Sequence, residues 1–489
     1  MTNLLKNKYV NWILLAITVL LVLLRLVHLE ADFPQKVTWS GELYTDEGWY
    51  SNNAVAYALT GNWYVEGDFN NAINVPILPI LEFVSFEIIG ISLLSARIVI
   101  AICFILMLAI LYAVVKKYEN HHTALLAIFL LAINYTLFAY SRLAILEIPM
   151  TLFVVVSIFL VSNVQIRGGY LYMVLASGAL LIAIMTKIMA VFAIPVVILI
   201  VWASGGERIG RVYKTGILIA MVVVGYLVYY HLVMQAYPMD FQYYNSNIGS
   251  RILDSPVAIA KGVVNALRGG NSIDRILNPL FIICFCIVLF VKELRRKRLI
   301  WISGSWIVLN ILLLGGYHHY PPRYYIPISV GGSMMVAVVL NYYLTTHRKL
   351  WWTMVMMVLI VIYSGLNCYK IARYVFTPEY SFCTMAKSIK NHLDSENSGE
   401  KILLGHFANS VGLATGVLSI NDKSGTKDLD YKISKYAPNG YVSRGPIVSE
   451  IQSVLAKYYD VEFVEKYDVF HNYATGEAVY FYKLKMVVK

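Results

Sequence analysis

Residues 44–50 read YTDEGWY, and their setting decides the fold. Two adjacent carboxylates, Asp46 and Glu47, stand about fifteen residues beyond a run of almost pure hydrocarbon, NWILLAITVLLVLLRLVHL at 11–29. That run has the roughly 20-residue length needed to cross a bilayer. No small-residue cleavage site follows it, so it reads as a retained first span rather than a removed signal peptide. The two acids are therefore expected just outside a membrane, framed by Tyr44, Trp49 and Tyr50, aromatic side chains that favour the interface.

Working outward, the rest of the chain fits that setting. The sequence is 489 residues long with 58% hydrophobic and 14% charged residues, against about 25% charged in soluble proteins, and its mean hydropathy is +0.63. Further apolar runs lie near 95–115, 123–140, 147–163, 170–186, 188–204, 215–235, 276–292, 299–316, 324–344 and 351–368. This predicts a polytopic α-helical membrane protein of about eleven transmembrane helices. With the amino terminus in the cytoplasm, the inner loops carry Lys116 and Lys117, Arg167, the Arg208, Arg211 and Lys214 cluster, KELRRKR at 292–298 and HRK at 347–349. All are basic, as the positive-inside rule requires. The same asymmetry accounts for the net charge of +11 without nucleic acid. The expected location is the cell membrane. Five scattered cysteines match no zinc spacing; Cys368 and Cys383 flank the last membrane exit and are the one pair placed to meet.

Three parts follow from this orientation. An external loop over 30–94 is acidic, with nine carboxylates against Lys36 alone. Within it, EGWYSNNAVAYALTG predicts a helix ending at Gly61, with Trp49, Tyr50, Ala54 and Tyr57 available to lie along the interface. A second outer segment, about 236–275, carries Arg251, Lys261, Arg268 and Arg275 with Gly269 and Gly270, and is a candidate lid or lipid-facing loop. Past the last span the composition turns polar. KILLGHF, GYVS, VEFVEKYDVF and AVYFYKL read as strands and SEIQSVLAKYY as a helix, predicting a small external α/β domain. The expected division is a transmembrane part at 1–370 and an extracellular or periplasmic domain at 371–489.

Ionisable groups at membrane depth are costly unless they face a cavity or a partner. Four places stand out: the Asp46 and Glu47 pair, Arg142 with Glu147 in YSRLAILEIPM, Lys187 in IMTKIMAVF, and Arg323 in YHHYPPRYYIP. Each has a plain structural reading, as a helix-turn pair, a snorkelling lysine, a rigid helix entry or solvated acids. All four nevertheless fall at the outer face. Carboxylates facing fixed cations suit sugar transfer from a lipid phosphate: one carboxylate takes the acceptor proton, and the cations hold the departing phosphate. A glycosidase would need two carboxylates flanking one bond.

At these residues the chain resembles the GT-C membrane glycosyltransferases, in particular relatives of dolichyl-phosphate-mannose protein mannosyltransferases and bacterial lipid A aminoarabinose transferases. TDEGWYSNNAVAYALTGNWY is similar to that family's first outer-loop Asp-Glu motif, NVPILPIL stands where Lys-Pro-Pro-Leu is common, and GISLLSARIV, SRLAILEIPM, TKIMAVFAIP and PPRYYIP follow in family order over most of the first 345 residues. The resemblance implies a catalytic Asp46 with Glu47 or Glu147 assisting the acceptor. It also implies a donor phosphate held by Lys187, Arg323 and Arg142. Tyr44, Trp49 and Tyr50 can anchor the loop at the interface and stack on a sugar face. The implied partners are a polyprenyl-phosphate hexosyl or pentosyl donor, a lipid, glycan or protein acceptor, and membrane lipid, with no nucleic acid. No cofactor is implied; His318 and His319 are compatible with a divalent metal, but neighbouring interfacial histidines are more often hydrogen-bonded structure. The competing class is a secondary transporter or lipid flippase, which would place its charges near the midplane on repeated halves.

Overall fold

The computed structural model describes residues 8–33, 42–164, 169–205, 207–249, 255–269, 277–317, 321–346, 350–395, 400–470 and 477–487. The chain opens with helix α1 (Lys8–Leu23), then α2 (Glu42–Thr60) and α3 (Ile77–Ile89) in the outer loop. The bundle continues through α4 (Leu93–Tyr118), α5 (His121–Ile133), α6 (Tyr135–Tyr140), α7 (Glu147–Val161), α8 (Gly169–Thr186), α9 (Ala193–Ala203) and α10 (Arg208–Leu232). Short helices α11 (Pro238–Gly249) and α12 (Pro256–Gly269) fall in the second outer segment; α13 (Leu277–Phe290), α14 (Lys292–Arg295), α15 (Arg298–Gly315), α16 (Ile326–Thr346) and α17 (Leu350–Phe376) complete the bundle.

Among the described residues, seven helices are long and apolar enough to cross a membrane: Lys8–Leu26, Leu93–Tyr118, Gly169–Thr186, Arg208–Ala236, Arg298–Gly315, Pro322–Leu344 and Met354–Asp394. The remaining apolar runs form helices of fewer than 18 residues. Two of them are shortened for visible reasons. The run expected at 123–140 is split at Asn134, whose side chain accepts from the Leu137 amide at 2.8 Å and restarts the helix as α6. The run expected at 188–204 begins as a 3-10 turn, Ile188–Phe192, because Lys187 is extended. Helix α16 is the most enclosed, with almost every side chain of its membrane segment buried, and it packs against α5, α13 and α15.

Local chemistry sets the element ends. Ser92 and Ser95 form a reciprocal cap at the start of α4, and Asn120 caps α5 by accepting from the Thr123 amide at 2.9 Å. Helix α2 stops at Gly61, whose positive φ of 75° lets its amide return to the Tyr57 carbonyl. Asn53 ties α2 to the loop beyond it, donating to the Trp63 carbonyl at 2.7 Å and to Asn70 Oδ1 at 2.9 Å, and accepting from the Ala72 amide.

Helix α2 is packed on two sides rather than lying free along one face. Ala54 is fully buried and α2 lies between α3 and the C-terminal domain. The apolar stripe left exposed in the outer loop is Ile80, Val84 and Ile88 on α3.

Beyond α18 (Ser381–Asp394) lies a five-stranded sheet with order β2-β1-β3-β5-β4, made of β1 (Ile402–Leu404), β2 (Leu418–Ile420), β3 (Gly440–Arg444), β4 (Tyr459–Val469) and β5 (Glu477–Met486). The first three strands are parallel, and β5 runs antiparallel between β3 and β4. Helices α19 (Ala408–Thr415), α20 (Leu429–Tyr436) and α21 (Ser449–Leu455) complete it. The carboxyl ends of the parallel strands, where open α/β sheets usually leave a ligand crevice, are turned onto the outer loop. Asn421, just after β2, donates its amide to Asp68 Oδ1 at 3.0 Å, Ser419 Oγ donates to Asn52 Oδ1, and Asn52 Nδ2 donates to Asp68 Oδ2. Burial pushes the Asp68 carboxyl up to about 6, with Lys432 pulling the other way. Cys368 and Cys383 are both free thiols, so the pairing considered for them is not made.

Candidate active site

Consecutive helical residues are turned by roughly 100° from one another, so TDEGWY on α2 sends neighbouring side chains to different partners. Asp46 reaches Arg323, pairing its Oδ2 with Arg323 Nη1 across 277 residues of sequence. Glu47 turns inward to Arg97 on α4, accepting from Nε at 2.8 Å and Nη2 at 2.7 Å, and it also takes the Ala144 amide at 2.8 Å. Both members of that pair are about 1% exposed. Gly48 faces the backbone of α19, where an added Cβ would lie 2.3 Å from the Ser410 amide nitrogen. Trp49 packs edge-on against Phe69 and against His406 of the C-terminal domain.

The second half of the site comes from three breaks in the bundle. Glu147 opens α7. Lys187 sits in the extended break after α8 and pairs with Glu147, its ammonium 4.3 Å from the centre of the Tyr324 ring. Arg323 stands in the short 3-10 turn Pro322–Tyr325 that Pro321 and Pro322 introduce. Its Nε lies 3.4 Å from Glu147 Oε1. Asp46, Arg323, Glu147 and Lys187 thus form one chain of alternating charge, two carboxylates and two cations. Asp46, Arg323 and Lys187 retain exposure of 12–15%, whereas Glu147 keeps 2%. Burial raises the Asp46 carboxyl above the usual carboxylate range despite the pull of Arg323. Burial, with the Asp46 charge next, pushes the Tyr50 hydroxyl well up.

Four of the residues singled out in the sequence therefore meet, and others do not. Arg142 turns away from Glu147 and the quartet, donating to the Leu24, Arg25 and His28 carbonyls and to the Tyr374 hydroxyl. Its guanidinium binds the turn that follows α1, so it does not join the quartet. Glu47 accepts three bonds from Arg97 and the Ala144 amide and points away from the quartet. The Trp49 ring makes edge-on contacts with Phe69 and with His406 of the C-terminal domain. The Tyr44 side chain, His318 and His319 lie outside the described residues. Among the described residues, no group of three or more metal-ligating side chains occurs.

Arg97 escaped the sequence reading. A lone arginine early in the apolar run at 95–115 was the available signal for Arg97, since such a charge needs a partner. Tyr50 was read as an interfacial aromatic able to stack on a sugar, not as a hydroxyl under the influence of the Asp46 charge.

Residues 75–234 match the family model for dolichyl-phosphate-mannose-protein mannosyltransferase. Among solved structures, ArnT from Cupriavidus metallidurans is similar in its apo state over 97% of this chain and 98% of that one, at 13% identity and a TM-score of 0.64. The same protein bound to undecaprenyl phosphate gives 96% and 97% coverage, 12% identity and a TM-score of 0.62. The archaeal oligosaccharyltransferase AglB from Archaeoglobus fulgidus, in complex with an inhibitory peptide and a dolichol-phosphate, is similar over 97% of this chain and 74% of that one, at 12% identity and a TM-score of 0.54. No curated protein matches the chain by sequence. The chain has the GT-C fold.

Proposed function

We propose, from a chain of GT-C fold whose outer loop meets two bundle cations, that this protein is a membrane glycosyltransferase. It transfers a hexosyl or pentosyl group from a polyprenyl-phosphate donor to an acceptor at the outer membrane face. The observation that carries this reading is the meeting of Asp46 with Arg323, beside Glu147 and Lys187. The family match over residues 75–234 and the lipid phosphates bound in the two similar structures support the choice of donor.

The step needs few parts. Asp46 accepts the proton of the acceptor hydroxyl as its oxygen bonds to the anomeric carbon. The bond from that carbon to the phosphate oxygen breaks, and its electron pair leaves with the phosphate, whose charge Arg323 and Lys187 stabilise. Without donor, both cations are engaged by Asp46 and Glu147. A phosphate entering at Arg323 competes with Asp46 for the guanidinium and releases the carboxylate toward the acceptor. Glu147 keeps both cations in place, and Glu47, held by Arg97, fixes the helix that carries Asp46. The proposed organisation is a catalytic part at 1–370 with its amino terminus cytoplasmic, and an external domain at 371–489.

The test is transfer from a set of polyprenyl-phosphate sugars by purified protein, comparing parent and Asp46→Asn. A base role predicts a turnover loss of about 100-fold or more with donor binding retained. Parental turnover in the variant removes Asp46 from the chemistry. Lipid translocation by the parent without any transfer would favour the flippase reading.

A further inference from the structure

The opposite end of the bundle holds a cavity that this reaction does not use. Its volume is about 510 Å³, within the range of small-molecule sites. It is formed where α4, α7 and α9 end and α15 begins, with Lys117, Tyr118, Ser162, Ser204, Arg298 and Trp301 among its walls. Helix α4 runs from Arg97, beside the Asp46 site, to Lys117; twenty residues at 1.5 Å each put about 30 Å between them, the thickness of a hydrocarbon core. The cavity therefore opens at the other membrane face.

Its charge is unbalanced. Lys117 donates to the neutral amide oxygen of Asn163 at 2.5 Å, and the nearby carboxylate of Glu119 is engaged by Lys297. The lining contains no Asp or Glu. Among the described residues, neither Lys117 nor Arg298 is paired with a carboxylate. One wall is aliphatic, from Leu199 and Ile302. Trp301 stands at the wall with 60% of its surface exposed and its indole N–H donated to the Arg295 carbonyl at 2.7 Å, the posture of an interfacial tryptophan. Two cations and an apolar wall at a membrane face match a ligand that is anionic at one end and hydrocarbon at the other.

We propose that this cavity binds the phosphate headgroup of an anionic phospholipid, with Lys117 and Arg298 on the phosphate and the acyl chains leaving past Trp301. The site is independent of the chemistry assigned to Asp46. Purified full-length protein in dodecyl maltoside is titrated with dioleoylphosphatidylglycerol, dioleoylphosphatidylcholine or sodium phosphate, and binding is read by thermal shift and native mass spectrometry. Phosphatidylglycerol binds the parent saturably, and the Lys117→Gln, Arg298→Gln double variant binds it roughly thirtyfold more weakly, each single change costing about fivefold. Lys117→Arg with Arg298→Lys restores binding. If the double variant does not fold, the single variants decide. Equal binding of phosphatidylcholine, unchanged affinity in the Gln variants, or displacement of the lipid by millimolar sodium phosphate would each overturn the assignment, the last by pointing to a free anion.

Discussion

Asp46 and Glu47 are adjacent in sequence and opposite in fate, and two substitutions separate them. Asp46→Asn leaves Arg323 with Glu147 as a partner, so turnover falls far more than stability does; thermal unfolding should move by less than about 2 kcal/mol equivalent. Glu47→Gln breaks a pair that is about 1% exposed, and should cost about 3–5 kcal/mol in unfolding free energy. A Glu47→Gln protein that melts like the parent contradicts its anchoring role. Arg323→Ala and Lys187→Ala should each weaken transfer by about 2–3 kcal/mol of activation free energy, read as kcat/KM for the lipid donor. The pH profile has a defined sign. In the proposed step Asp46 works ionised, and burial raises its pKa, so turnover should drop as pH falls through a value above the ordinary 3.9 of aspartate, and that acid limb should disappear from any residual activity of Asp46→Asn. The quartet was legible because each charge stands in apolar or aromatic surroundings. The partners of Glu47 and Arg142 were not, because a helical turn and backbone carbonyls decide them, and neither leaves a mark in the order of residues.

At the scale of elements, the contact between α2 and α19 governs how firmly Asp46 is held. Gly48 has no room for a side chain, and the atoms an added Cβ would meet are backbone of Asn409 and Ser410. Gly48→Ala should therefore cost about 1–3 kcal/mol and loosen the C-terminal domain from the loop, measured as faster limited proteolysis between 400 and 470 and as lower turnover. Unchanged cleavage in that variant would separate the two helices functionally. The bundle helices were readable from hydrocarbon run length, and four strands from short apolar or aromatic runs in a polar segment, KILLGHF, GYVS, VEFVEKYDVF and AVYFYKL. Their interruptions at Asn134 and Lys187 were not, since one polar residue in an apolar run is equally compatible with a continuous helix. Strand β2 is only three residues long with a serine at its centre, so no apolar run marks it. Its pairing with β1 arises from the parallel crossover through α19, a long-range arrangement.

For the whole molecule, the basic loops predict that the sheet domain lies outside. Lys423→Cys, exposed beside the α2 contact, tests this in a background from which the five native cysteines, two of them exposed, have been removed. Labelling by an impermeant maleimide in intact cells is the expected result, and protection would invert the topology. The domain's grip on α2 also sets a timetable. Glu47 meets Arg97 after 50 further residues, Asp46 meets Arg323 after 277, and Asn52 meets Ser419 only after 367. At 5–20 residues per second, the ribosome leaves the acidic helix uncovered for about 20–70 s. A nascent chain therefore can anchor its helix early, acquire its charge quartet late and gain its cover last, so a polypeptide released before residue 323 lacks the quartet altogether.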